Sequence, residues 1–468
     1  MATPIPRNRA ELRRESVLAA TRGTARGPEW EVARGVVTDS RAVEPGNLFV
    51  ALRGGRFDAN AFATQAAASG ATAVVVERGT SLPPNVSAIE VDDTLVALGD
   101  LARAHRDGWR GEMIGITGSV GKTTTRTLAA AALRSAGRSV LATTGNLNNR
   151  IGVPMTLFGL DDSVDTAVVE MGTSEPGEIA RLAEIVRPNA AIVTRASLAH
   201  TEGLGSIEAV ADEKVSLLHA LAPDGLAVAY GDDAPIKKRA SIVPVARKLF
   251  YGRGATNDVR VLDWEVGAAG TRAQLQVRGQ SVELEIGLIG EGAVLNAAAV
   301  IALAFGLGVP LDEAARGIVD VAPVPGRMQP LAGFDDRLII DDSYNANPAS
   351  MEVALSTSRV IAKQRGAPLV VVLGDMNELG VQSEEAHRRV GELVADADAL
   401  LFIGCGEGMR VAVEAANGRG IDTLWFEDVS ECGEIADRLP LRAVVLVKGS
   451  RSMEMERVIA PLREGEPS

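Results

Sequence analysis

A lysine, several threonine hydroxyls and flexible glycines stand close together in Gly115-Ile-Thr-Gly-Ser-Val-Gly-Lys-Thr-Thr-Thr125. Together they could hold a phosphate. Gly118 and Gly121 let the backbone around Ser119 and Val120 turn its N–H groups toward an anion, and Lys122 reaches toward the outer phosphates. Thr123 and Thr124 bring hydroxyls, one of which can hold Mg2+. The usual G-x-x-x-x-G-K-[ST] form is not fully kept, since Ile116 stands where its first glycine belongs and Gly115 is one residue early. The flanks support the phosphate reading. Met113 and Ile114 continue an apolar run into the stretch, while Thr127 to Arg134 are strong helix formers that stop at Gly137, so the order is strand, glycine loop, helix. ATP or GTP binding is the first expectation.

Other reactive groups are scattered along the chain. Glu170 ends the strand run Thr166-Ala-Val-Val-Glu170, where a carboxylate beside a phosphate loop suits Mg2+. A glutamate facing solvent at a strand end fits the same pattern. His200 follows the strand Pro188 to Thr194, whereas His105, His219 and His387 sit in helical patterns. Such a histidine can be a metal ligand or simply structural. Lys214 shares a helical stripe with Val210, Leu217 and Leu221, which puts an amine on the buried face of a helix over 207–221. Burial would lower its pKa and leave a neutral amine able to take up CO2 as a carbamate. From periodicity alone, a lysine that snorkels out of the core is the better reading.

Three kinds of polar cluster complete the set. The run from Thr143 to Pro154 is rich in amides and glycines, with Asn146, Asn148 and Asn149, and resembles a ligand loop more than a core element. Thr38-Asp-Ser-Arg41, with Ser40 and Arg41, reads on chemistry alone as an exposed ion pair. Asp341 to Pro348 (with Asp342, Tyr344, Asn345 and Asn347), Gly374 to Gly380 and Lys448 to Ser452 each follow a strand, where α/β folds place ligands.

The elements that must position these groups follow from pattern and length. A chain of 468 residues exceeds one ordinary core and predicts several domains. The reading is α/β in three units. Residues 1–110 form a small α/β domain. Residues 111–322 alternate strand and helix in a mainly parallel phosphate-loop sheet, with period-two antiparallel hairpins over 255–290. Residues 323–468 form a Rossmann-like α/β domain, and Pro323 to Pro330 is the predicted linker and hinge.

Composition excludes whole classes of function. A net charge of −13 argues against nonspecific nucleic-acid binding, and 3% aromatic residues leave no stacking platform for single strands. No apolar run approaches a bilayer span, and Met1 to Glu31 is charged without a signal-like apolar core, so membrane insertion is not expected and a cytoplasmic location is. Cys405 and Cys432 are too few for a disulfide framework and read as small buried hydrophobes.

Taken together, the motifs resemble the Mur ligases. The likeness covers Thr38 to Arg41 with Pro45 to Leu52, then Thr117 to Thr124, Gly145 to Pro154, Glu170 to Gly172 and Gly177 to Ile179. It continues through His200 with 202–206, Pro325 to Arg327, Asp341 to Pro348, Gly374 to Gly380 and Lys448 to Arg451. The Asn-Ala-Asn-Pro and Gly-Asp-Met-x-Glu-Leu-Gly runs point to the branch that joins D-alanyl-D-alanine to UDP-N-acetylmuramoyl-tripeptide. The resemblance implies an ATP-dependent ligase, expected to be a monomer, with the UDP end of the substrate held by the first unit at Ser40 and Arg41. It implies two Mg2+ ions with Thr123, Glu170, His200 and a carbamylated Lys214 as ligands, and Lys122, Lys214 and His200 as catalytic groups. Asn296, Arg327 and Asp342 become nucleotide contacts; Asn146, Asn148, Asn149, Tyr344, Asn345, Asn347 and Lys448 become substrate contacts. Several positions depart from the family pattern: Gly292 and Ala293 replace a usual His and Asn, Arg195 replaces an Asn, Thr173 replaces a small apolar residue, and Asp58-Ala-Asn60 replaces Asp-Gly-His.

Overall fold

The computed structural model describes residues 3–55, 57–197, 206–267 and 270–464. Its centre is a nine-stranded sheet ordered Val140–Ala142, Thr166–Glu170, Glu112–Thr117, Ala190–Val193, Leu226–Tyr230, Arg247–Gly252, Val259–Gly267, Gly270–Val277 and Gln280–Ile286. The strands run parallel up to Val259–Gly267, and the last two pairings are antiparallel. Sequence explains the change of style. The parallel strands are apolar on consecutive positions because both faces are covered: Met113 and Val169 feed one core, and Ile114, Ile116 and Val168 feed the other. The antiparallel strands alternate, with Val259, Val261, Leu275, Val282 and Leu284 buried toward one face.

Helices Lys122–Ser135 and Glu291–Leu307 cover the second face, and helices Glu178–Val186 and Ile207–His219 cover the first. The helix expected over 207–221 ends two residues early, and its stripe of Val210, Lys214, Leu217 and Leu221 is buried, Lys214 included, against the snorkelling that periodicity alone favoured.

A five-stranded sheet precedes the centre, ordered Thr24–Arg26, Ala88–Val91, Ala73–Glu77, Leu48–Val50 and Val36–Val37, parallel except for its first strand. Helix Thr94–Gly108 follows, capped by Asp93, whose carboxylate accepts from the N–H groups of Leu95 and Val96. One continuous core runs from Leu48 and Ile89 through Leu98 and Leu101 to Leu157 and Leu182. Arg106 reinforces this join, donating to the carbonyls of Val186 and Arg187.

The last sheet has six strands, ordered Gln329–Ala332, Leu338–Asp342, Val444–Lys448, Leu369–Gly374, Leu401–Cys405 and Asp422–Phe426, with only the first antiparallel. The proposed linker is shorter than the sequence suggests, because Gln329 and Pro330 pair with Asp341 and Ile340. An edge strand accepts a proline, since one of its sides has no ladder to donate to. Cys405 and Cys432 are buried with their sulfurs 2.8 Å apart. Among the described residues, no helix is long and apolar enough to cross a membrane.

Candidate active site

The phosphate loop forms where strand Glu112–Thr117 meets helix Lys122–Ser135. Gly118 (φ +147°) and Gly121 (φ +88°) adopt backbone conformations that side chains resist. Space forbids a side chain as well: a Cβ on Gly118 would lie 1.8 Å from Thr194 Oγ1, and one on Gly121 would lie 2.3 Å from Asn296 Oδ1. Thr194 Oγ1 in turn donates to the Val120 carbonyl at 2.7 Å, tying the loop to the neighbouring strand. Lys122 donates through Nζ to the carbonyls of Gly118 (2.7 Å) and Ser119 (3.3 Å), so its ammonium lies folded over the loop. Burial lowers its pKa, opposed by the Glu170 charge.

Glu170 is not the solvent-facing glutamate that the sequence also allowed. It is 1% exposed, because the run from Thr143 to Pro154 closes over the strand end. Its Oε1 accepts from Asn148 Nδ2 at 2.8 Å and from Thr123 Oγ1 at 3.2 Å. Its Oε2 is buried without a hydrogen-bond partner, although the Arg126 guanidinium lies 3.4 Å away. Thr123 beside a carboxylate with an unsatisfied oxygen is a donor set that suits Mg2+, which takes one or two carboxylates and completes its shell with phosphate oxygens and water. Among the described residues no group of three His, Cys, Asp or Glu side chains gathers as a metal site. His200 lies outside the described residues.

Lys214 does not snorkel. It is 1% exposed, and its pKa is lowered to about 7, first by burial, then by the Lys122 charge, with Glu213 and Glu178 opposing. Glu213 itself receives the N–H groups of Gly177 and Ile179, both at 2.7 Å, and so holds the start of helix Glu178–Val186. The pairing of Lys214 with a low pKa and a charged neighbourhood is the requirement for amine chemistry at neutral pH.

The amide-rich run is partly structural. Asn149 Oδ1 accepts from the N–H groups of Ile151 and Gly152 and starts the short helix Gly152–Leu157. Asn146 is exposed, and Asn148 is the member that reaches Glu170.

A cleft of about 580 Å³ lies between this loop and the last sheet. Its lining includes Ser119 to Thr124, Asn146, Asn148, Asn149, Glu170 and Asn296 from the central sheet, and Arg327, Asp342, Tyr344, Asn345, Asn347 and Lys448 from the last. Arg327 stacks on Tyr344, with Cζ 4.1 Å from the ring centroid, and its Nε is buried without a partner. Lys448, 1% exposed, donates to Asp342 Oδ2 at 2.6 Å and to the Asn345 carbonyl at 2.7 Å. Burial pushes the Asp342 carboxyl up, and the Lys448 charge pulls against it. Asn347 caps helix Pro348–Arg365 and also lies 3.5 Å from Ser197 Oγ, while Arg195 pairs with Glu352 at 3.4 Å, so the two walls touch.

Ser40 and Arg41 fall outside this lining. They form a short 3-10 turn in which Arg41 pairs with Asp39 at 2.7 Å, the exposed ion pair that chemistry alone suggested. Arg126 is the residue that sequence reasoning passed over; its only signal is a spacing of four from Lys122.

Comparisons with known proteins agree with this arrangement. Three family models match in turn: "Mur ligase family, catalytic domain" over residues 32–106, "Mur ligase middle domain" over 116–304, and "Mur ligase, glutamate ligase domain" over 326–451. A relative from Escherichia coli (strain K12), named UDP-N-acetylmuramoyl-tripeptide--D-alanyl-D-alanine ligase, is 38% identical, covering 92% of this chain and 93% of its own. A relative of the same name from Bacillus subtilis (strain 168) is 32% identical over 96% of this chain and 98% of its own. Among solved structures, MurF from Acinetobacter baumannii superposes with a TM-score of 0.87 at 30% identity, covering 98% and 99% of the two chains. MurF ligase from Thermotoga maritima in complex with ADP gives 0.81 at 28% identity, covering 91% and 96%.

A phosphate loop facing the strand ends of a second α/β unit across one cleft, read with these relatives, defines an ATP-dependent ligase. The chain belongs to the Mur ligase family.

Proposed function

We propose that this ligase joins D-alanyl-D-alanine to UDP-N-acetylmuramoyl-tripeptide at the cost of ATP, in the synthesis of peptidoglycan precursors. The observation that carries the reading is end-to-end similarity to relatives bearing that name, at up to 38% identity among those described above. The motifs of the last sheet that distinguish this branch, Asp341 to Pro348 and Gly374 to Gly380, are intact.

The carboxylate at the end of the tripeptide is a poor electrophile at neutral pH. Its oxygen attacks the γ-phosphorus of ATP, the bond to the β-phosphate breaks, and ADP leaves an acyl phosphate. The dipeptide amine then attacks the carbonyl and loses a proton, and the tetrahedral intermediate expels phosphate. Lys122 and the loop N–H groups from Gly118 to Thr124 offset the charge gathered on the phosphates. Asn296, Arg327 and Asp342 are the further nucleotide contacts. Thr123, Glu170 and His200 would hold Mg2+, and a carbamylated Lys214 would bind a second ion. Such ions supply charge neutralisation on the transferring phosphoryl group. A carbamate on Lys214 would turn a costly buried amine into an anion that a cation can pair.

The units take separate duties in this reading: 1–110 hold the UDP end through Ser40 and Arg41, 111–322 hold ATP, and 323–468 close over the cleft and exclude water from the acyl phosphate. Asn146, Asn148, Asn149, Tyr344, Asn345, Asn347 and Lys448 then face the peptide substrates. The enzyme works as a cytoplasmic monomer, where ATP and UDP-linked precursors are available.

Phosphate release measured with UDP-tripeptide and D-alanyl-D-alanine, each omitted in turn, tests the reading. Turnover must need both. Another amide ligase of the same superfamily is the second reading; a solved folylpolyglutamate synthase from Mycobacterium tuberculosis shares the fold at 17% identity and a TM-score of 0.60. A panel of amino acid and dipeptide acceptors separates the two.

A further inference from the structure

Arg126 lies one turn beyond Lys122 on the helix that leaves the phosphate loop, so the two share a face. Its guanidinium turns inward, with only 9% of the side chain exposed. It touches two things. NH1 donates to the carbonyl of Gly145 at 2.9 Å, at the head of the amide-rich run, and lies 3.4 Å from Glu170 Oε2. That oxygen has no directed hydrogen bond, so charge alone compensates it. A buried carboxylate without a counter-charge is expensive. Two other cations lie near: the Lys122 ammonium is engaged by the carbonyls of Gly118 and Ser119, and the Arg327 guanidinium, whose charge acts on both Lys122 and Arg126, is stacked on Tyr344. Arg126 remains protonated even in this setting.

We propose that Arg126 is a positioning residue, the standing counter-ion of Glu170, which holds that carboxylate and the loop at Gly145 in working geometry until a divalent cation takes over the charge. Two cations that share one carboxylate repel each other. Arg126 therefore weakens the cation that the site binds, and in return keeps Glu170 buried and aimed before nucleotide arrives. The part concerning the cation rests on the reading that Mg2+ joins Glu170 and Thr123; the part concerning stability does not.

Thermal unfolding of the full chain separates these parts. Without nucleotide and with EDTA, Arg126→Met is expected to lower the midpoint by about 10 °C, because it strands a buried anion. Glu170→Gln strands the guanidinium and should lower it similarly, whereas the double variant Arg126→Met/Glu170→Gln should regain most of the loss. Arg126→Lys keeps the charge and should stay near wild type, which also covers the case in which the Met variant does not fold. In a Mg2+ titration with ADP present, the concentration giving half of the full stabilisation should fall on the order of tenfold in Arg126→Met. Losses that simply add in the double variant, or an unchanged Mg2+ requirement, would overturn the proposal. If ADP with Mg2+ fails to stabilise even the wild type, the nucleotide reading fails instead, and the metal-free double variant still decides the pair.

Discussion

Two arginine–carboxylate pairs, one in the first sheet and one beside the phosphate loop, reverse the order that distance would suggest. Arg41 and Asp39 approach to 2.7 Å but are 86% and 44% exposed, while Arg126 and Glu170 stand 3.4 Å apart at 9% and 1% exposure. The Arg41 hydrogen bonds hold the Asp39 carboxyl below the usual range, yet water screens the pair and both side chains must be ordered to form it. The looser pair stands where little water competes, so breaking it leaves a bare charge in the interior. The lesson concerns exchange as much as strength. An exposed arginine can leave its carboxylate for a ligand phosphate at little cost, whereas a buried one can leave only when another cation arrives. The first arrangement suits a substrate handle and the second suits a preset reaction centre.

The largest effect should come from the buried region. Replacing Lys122 by Met removes the ammonium folded over the loop and should slow substrate-dependent phosphate release on the order of 1000-fold, with little change in the midpoint measured without nucleotide. A large loss of stability instead would show that Lys122 serves the fold.

Lys214 comes next, and pH exposes it. Its folded-state value of about 7 lies below the ordinary lysine value, so between the two the unfolded chain binds the extra proton and stability rises with pH. Below about 7 both states are protonated and the full burial penalty is present. In carbonate-free buffer, the stability gap between Lys214→Met and wild type should therefore shrink by up to about 4 kcal/mol from pH 7 to pH 10. A gap that is flat with pH would mean that burial does not lower the Lys214 pKa. Lys214→Ala should abolish ligation, with short-chain carboxylic acids restoring part of it if a carbamate is the working group.

The opposite wall of the cleft offers an intermediate case. Lys448→Met leaves the Asp342 carboxyl without its cation and should cost about 3 kcal/mol by denaturant unfolding; Lys448→Met with Asp342→Asn should cost less than the single change. The smallest effect belongs to the exposed turn. Asp39→Ala should move the thermal midpoint by no more than about 2 °C, while Arg41→Ala raises the KM for the UDP-linked substrate and leaves kcat alone. A stability loss at Asp39 matching that of Glu170→Gln would erase the contrast between the two regions.

Much of the architecture was legible because periodicity reports burial directly. Consecutive apolar positions marked the two-faced parallel strands, alternation marked the hairpins after Val259, and Gly118 with Gly121 announced a loop that tolerates no side chain. The same logic misjudged lengths. It assigned Gln329 and Pro330 to a linker, because a proline says nothing about which side of an edge strand carries the ladder. Around the boundary expected at residue 110, helix Thr94–Gly108 packs into a core that reaches both sides.

For single side chains the division is sharper. Residue type and local spacing were enough to nominate Lys122, Thr123, Glu170 and Lys214 for phosphate, cation and amine chemistry, because the backbone conformations and apolar stripes that frame them are encoded within a few neighbours. Whether Glu170 faces water, whether Lys214 escapes the core, and which cation answers an unsatisfied carboxylate oxygen depend on partners far away in the chain: Asn148 and Gly145 from another loop, Lys122 and Glu178 from two other helices. Desolvation and charge act through space rather than along the sequence, so only the folded chain could decide them.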